Sequence, residues 1–339
     1  MNFTSSLLRT SPKLISSFLS HTQRRTFTMA TMQSPLFTQQ VVKAMQTLYP
    51  EPLADRTWDN VGLLQENFTT SSSPTSPTSP IILLTNDLTP SVAQEAISRN
   101  ASVIISYHPF IFRGVKSITL ADPQQRIILL LAHHNIAVYS PHTAIDAAPG
   151  GMADWLASML SSLPGVTTQI STVQPVDTSS LGSQFTGAGY GRKVELSKPV
   201  GLGEVVKLYA KGLGGLRHVM VARPKTNPNE QITVKTVAVC PGSGESVLAG
   251  VKDADLIITG EMSHHPALKL VMEGKSVLSV FHSNSERRFL AEVLKPQLEG
   301  HLGKEVDGLQ VLVSEEDSDP FQIVDVEDLP EDMRVQTTV

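Results

Sequence analysis

One pattern occurs twice along this chain, and it constrains the fold more than any other feature. In the second half, LSVFHSNSERRFL (residues 278–290) opens as a short apolar strand and breaks at a polar run, with His282 at the break and Glu286 four residues on. A helix opening near Ser283 or Asn284, either of which can serve as its cap, points both side chains back over the strand end. In the first half, IAVYSPHTAID (136–146) repeats the arrangement with His142 and Asp146. Upstream, ASVIISYHP (101–109) matches ADLIITGEMSHHP (254–266), and IILLTNDL (81–88) matches VKTVAVCPGSG (234–244). Each half therefore reads strand, helix, strand, loop, helix, strand, H-x-x-x-acid, a duplication of pattern with little residue identity. Strands alternating with helices predict an α/β fold of two similar three-layer lobes with mostly parallel sheets. Such sheets bind ligands beyond the carboxyl ends of their strands, where these His and acid residues fall.

The first lobe is expected over residues 33–160, a connecting segment over 161–232, the second lobe over 233–313 and an acidic tail over 314–339. Residues 69–80, with TTSSSPTSPTSP, read as a flexible insertion. Residues 1–28 lack any acid and spread Arg9, Lys13, Arg24 and Arg25 through a Ser/Thr-rich stretch, the make-up of a mitochondrial presequence, with Met29 or Met32 as a cytoplasmic start. Nine acids against one arginine between Glu315 and Arg334 read as a solvated tail.

Composition narrows the chemistry. A formal net charge of -5 gives no basis for direct nucleic-acid binding, and no apolar run approaches the length of a membrane span. The single cysteine, Cys240, rules out an internal disulfide and a site built mainly from thiolates, leaving oxygen and imidazole ligands.

Several further residues read as site candidates from position. His108 follows a strand and precedes a proline at the same sheet end as the Asp146 loop. Lys116 and Arg113 just beyond it could meet an anionic substrate or lie in solvent. The turn CPGSGES (240–246) could offer the backbone N–H groups of Ser243 and Gly244 to a phosphate or be a plain tight turn. GEMSHH (260–265) brings Glu261, His264 and His265 to the next strand end as proton carriers or supports for a ligand. Asp59 in WDNVGLL reads as a turn aspartate or as a group behind a metal ligand. The glycines of GAGYGR (187–192) make a turn into a strand and form no dinucleotide fingerprint.

In this order YHPFIF, SPHTAID, GAGYGR, VAVCPGSG, GEMSHH and HSNSERRFL resemble the NIF-three-like family of dinuclear metal-centre proteins, some of which are labelled GTP cyclohydrolase I type 2. The likeness runs from about Pro35 to Phe321. It implies two α/β lobes holding a pair of divalent cations in the cleft between them, a ring-shaped homohexamer, and metal-ligand roles for His108, Asp146, His282 and Glu286; few sulfur and many oxygen ligands point to zinc, iron, manganese or magnesium. His142 then stands behind the ligands. Where bacterial members have His-His-Pro, this chain has Tyr107-His108-Pro109, so a phenol replaces one imidazole and one ion is expected to bind weakly. The longer members' extra insert between the lobes has no room in residues 163–230. The expected activity is metal-dependent hydrolysis of a nucleotide-like small molecule, with Glu261, His264 or His265 moving protons. The alternatives are a metal-binding interaction or regulatory protein without turnover, which would engage protein partners, and a metal carrier.

Overall fold

The computed structural model describes residues 32–70, 79–225, 231–328 and 330–333. The presequence region, Met29 and most of the 69–80 insertion lie outside them. Two principal sheets organise the chain. In the first, Ile81–Thr85, Val103–Ser106 and Ala137–Ser140 run parallel. Gly62–Gln65 is added antiparallel at one edge, and Gln310–Val313 is added parallel at the other. In the second, Thr233–Cys240, Leu256–Thr259 and Ser276–Ser279 run parallel. They are flanked by the antiparallel strands Gly189–Gly201 and Met220–Ala222, with Thr168–Pro175 outermost.

The parallel strands are short apolar runs because both faces of each sheet are covered. In the first sheet Ile82, Leu84, Val103, Ile105 and Tyr139 face the helix Leu36–Leu48 and the C-terminal helices. The alternate residues Leu83, Ile104 and Val138 face Pro90–Ser98 and Pro123–His133. The second sheet divides in the same way, with Val237, Val239 and Ile258 on one side and Ala238, Cys240 and Ile257 on the other. With a period of two, burial on both faces leaves no polar position within the strand, so polar residues collect at the strand ends.

Three features differ from the reading of the sequence. The stretch 161–232 supplies three strands and the helix Leu202–Gly212 to the second sheet, so it is part of that lobe and not a connection. The strand Gln310–Val313, expected in the second lobe, pairs with Ile81–Leu84 in the first. The chain crosses over after His282, and Phe289, Leu290, Leu294, Leu298 and Leu302 fill the first sheet's core beside Val41, Met45 and Tyr49. The helix after His282 also starts late. A 3-10 turn spans Ser283–Ser285, and regular helix begins at Arg287. Neither Ser283 nor Asn284 caps it, because the Asn284 amide donates to the Val280 carbonyl and the Ser283 hydroxyl donates to Asp319. A π-helical turn over Leu290–Leu294 follows, an irregularity that often accompanies functional sites.

Candidate metal centre

The carboxyl ends of the two sheets' parallel strands meet. From the first sheet, Ile81–Thr85 leads into Asn86 and Asp87, Val103–Ser106 into Tyr107 and His108, and Ala137–Ser140 into His142. From the second, Thr233–Cys240 leads into the Gly242 turn, Leu256–Thr259 into Gly260 and Glu261, and Ser276–Ser279 into His282 and Glu286. His108, His282 and Glu286 offer ligand atoms that all lie within 4.8 Å of one another.

The imidazoles are oriented by carboxylates. His108 Nδ1 lies 2.9 Å from Asp87 Oδ1, and His282 Nδ1 lies 3.0 Å from Glu261 Oε1. An ionised carboxylate only accepts, so it favours the proton on Nδ1 and leaves Nε2 as the nitrogen free to face a metal. Those nitrogens face the two oxygens of Glu286, His108 Nε2 at 3.5 Å from Oε2 and His282 Nε2 at 3.3 Å from Oε1. Lone pairs opposed to carboxylate oxygens repel unless a proton or a cation lies between them. Two ligands about 2.1 Å from one tetrahedral ion are roughly 3.4 Å apart, so these separations match ligands sharing a cation.

Glu286 has side-chain exposure of only 1%. The Asn86 amide donates to its Oε2 at 3.0 Å, and burial pushes its carboxyl up to about 8, the direction a cation would reverse. The Asn86 side-chain carbonyl is buried beside it without a hydrogen-bond partner. Two imidazoles and an oxygen-rich surround suit zinc or another borderline divalent ion, so the residues present fit such a cation.

Asp146 lines the same cleft as the trio, although its carboxylate is not among the close-set atoms. Burial pushes its carboxyl up to about 6, and Tyr107 donates its phenol proton to Asp146 Oδ1 at 2.9 Å. Tyr107 is fully enclosed, and burial followed by the charge of Asp146 drives its pKa well above the ordinary value, so it stays a neutral donor and supplies no phenolate ligand. His142 sits in the left-handed region, φ 33°, a strained conformation for a residue with a side chain. Its Nδ1 is 2.7 Å from the buried Asp59, which also accepts from the Thr143 N–H and hydroxyl. Burial alone would raise the Asp59 carboxyl, but the His142 contact and the Thr143 donors outweigh it and hold it low.

The other candidates are placed less centrally. Glu261 is at the mouth, half exposed, on His282. His264 and His265 open the helix His264–Met272, meet edge to face with centroids 5.3 Å apart and are exposed. His265 lines a separate cavity of about 390 Å³, away from the three-residue group. Lys116 is exposed and absent from the cleft lining. In the glycine turn, the Gly242 N–H donates to the Ser285 hydroxyl and the Gly244 N–H to the Thr259 hydroxyl, so two of its amides are already committed within the chain. Ser243 lines the cleft. Gly242 is needed for another reason: at φ +57°, a Cβ there would lie 2.7 Å from Glu286 Oε1 and 3.2 Å from His282 Nε2.

Asp87 and Asn86 escaped attention in the sequence. The available signal was their place at the end of the first apolar strand, the position that carries the glycine turn in the second copy. The acidic tail also contributes. Asp317 accepts from the Asn86 N–H at 2.8 Å and from Arg287 Nε at 3.3 Å, and Asp319 accepts from Arg287 Nη1 at 3.3 Å. Asp317 and Asp319 are therefore held beside Glu286, whereas Glu315 and Glu316 stay exposed. Asp319, Pro320, Phe321 and Ile323 line a second cavity of about 530 Å³ that reaches His108 and His282.

Residues 37–320 match the family model Duf34/NIF3 (NGG1p interacting factor 3). The chain is 43% identical over 280 residues to the protein NIF3 homolog of Schizosaccharomyces pombe, covering 82% of this chain and 95% of that one. It is 40% identical over 289 residues to NGG1-interacting factor 3 of Saccharomyces cerevisiae, covering 84% and 96%. In fold it resembles a Bacillus cereus protein related to NIF3, with TM-score 0.68, 20% identity and coverage of 86% and 100%. The family model over residues 37–320 and relatives at 40–43% identity, beside a His/Glu group where the strand ends of the two sheets meet, make the chain a member of the Duf34/NIF3 family.

Proposed function

We propose that the protein is a metal-dependent hydrolase acting on a nucleotide or a related small molecule, with His108, His282 and Glu286 as the ligands of its ion. The observation that carries this is the pair of carboxylate-tethered imidazoles turned toward one buried glutamate in an open cleft of about 340 Å³. A bound divalent cation supplies Lewis acidity, polarising a substrate oxygen or ring carbon and lowering the pKa of water. Asp87 and Glu261 fix which imidazole nitrogen is free, and Asn86 holds the glutamate in place. Glu261, exposed at the mouth, is the group placed to accept and release a proton, ahead of His264 and His265. Tyr107 holds Asp146 so that its second oxygen remains for a substrate group or a second, weaker ion, as the phenol-for-imidazole exchange implies.

The test is metal analysis of purified protein together with a screen for formate and phosphate release from nucleotides, wild type beside Glu286→Gln. The proposal requires activity that depends on metal and is lost in the variant. A wild type that holds metal yet turns over no nucleotide would favour a metal-binding interaction protein instead. Two observations lean that way: Tyr107 in the ligand position, and a yeast relative named for interaction with NGG1. We also propose, from the resemblance, a homohexamer, checked by light scattering, and, from the make-up of residues 1–28, mitochondrial import, checked by imaging with and without that segment.

A further inference from the structure

Trp58 and Phe112 stand at the mouth of the metal cleft, 51% and 42% exposed, with ring centroids 6.0 Å apart at 53°. Two large aromatic rings side by side at a cleft mouth offer a flat ligand favourable burial. Trp58 is held in this position. Its indole N–H donates to Asp55 Oδ2 at 2.9 Å, and the Asp55 backbone N–H donates to the Thr143 hydroxyl at 3.1 Å. From Trp58 the rings continue inward, to His142 with centroids 5.7 Å apart and from there to His108 at 5.4 Å. A flat molecule laid on Trp58 is therefore within a ring or two of the ligand His108.

Charge identifies what that molecule is. No lysine or arginine lines this cleft among the described residues, and the glycine turn has two of its amides committed. A phosphate would find no cationic side chain here, whereas every nucleobase has a π-face for an aromatic platform. We propose that Trp58 and Phe112 form a stacking platform that selects a planar heteroaromatic ring, and that the site takes this ring without needing a phosphate. This rests on the hydrolase reading only for the fate of the ring, since stacking is measurable without turnover.

The protein has two tryptophans, so Trp155→Phe leaves Trp58 as the sole reporter. The zinc-loaded Trp155→Phe protein is titrated with guanosine, guanosine monophosphate and ribose 5-phosphate while indole fluorescence is followed. The expected result is quenching by guanosine, by the monophosphate with affinity within about threefold, and none by ribose 5-phosphate. Adding Phe112→Ala should weaken guanosine binding about tenfold, since a stacked base is worth about 1–3 kcal/mol, with zinc content unchanged. The proposal is overturned if guanosine leaves the fluorescence unchanged, if the monophosphate binds more than tenfold tighter than guanosine, or if Phe112→Ala has no effect on affinity. It is also overturned if Trp58→Ala breaks an oligomer into smaller species, because the rings would then be an interface between copies. Quenching without any hydrolysis would uphold the platform and sink the hydrolase reading.

Discussion

A buried carboxylate facing two imidazole lone pairs is costly without a cation, and that cost should be visible at Glu286. Its folded carboxyl titrates at about 8, above its ordinary 4.5, so the metal-free folded protein binds the extra proton through this window. Stability of the metal-free form should therefore fall as pH rises from about 4.5 to about 8 and level off above it. Asp146, raised from 3.8 to about 6, adds a slope of the same sign lower down. Thermal melts in chelator across pH check this: Glu286→Gln should flatten the slope and melt higher than wild type at pH 8. Removing His282, half exposed at a strand end, should reduce bound metal severalfold while leaving the far-ultraviolet circular dichroism unchanged. Full metal content in His282→Ala would show that it is no ligand. Gly242→Ala should cost about 2 kcal/mol, from a side chain at φ +57°, and should also lower metal affinity because its Cβ enters the space of Glu286. Denaturant melts and metal titration read the two effects separately.

At the scale of elements, the sequence disclosed what period and position encode. Doubled strand ends carrying His108, Asp146, His282 and Glu286 were legible because apolar runs stop abruptly at polar residues, and all four reach one cleft. Which carboxylate stands behind which imidazole was not legible. Asp87 meets His108 across 21 residues and Asp59 meets His142 across 83, pairings set by loop paths with no periodic trace. The same limit hid the crossover after His282: Leu290, Leu294 and Leu298 have helical spacing whichever core they fill, and only packing assigns them to the first sheet. Nor does composition distinguish a solvated acidic tail from one whose Asp317, 3% exposed at its side chain, is buried against Arg287. Arg287→Ala should destabilise the fold by roughly 2 kcal/mol, discounted from the 3–5 kcal/mol of a fully buried pair because Arg287 is partly exposed. Asp317→Asn together with Arg287→Ala should recover part of that loss in denaturant melts, and no recovery would mean that Arg287 acts through something other than this charge.

For the molecule as a whole, the centre joins its halves. His108 comes from the first sheet and His282 from the second, and Glu286 lies on the chain crossing between them. A cation held by these three residues would tie the two sheets together and favour the folded state, so saturating metal should raise the melting temperature and chelator should lower it. The most direct measurement is an anomalous difference map from crystals grown with zinc, collected on either side of the zinc absorption edge. A peak at about 2.0–2.2 Å from His108 Nε2, His282 Nε2 and a Glu286 carboxylate oxygen is the predicted result. Zinc bound elsewhere, with no peak among these three side chains, would contradict the account.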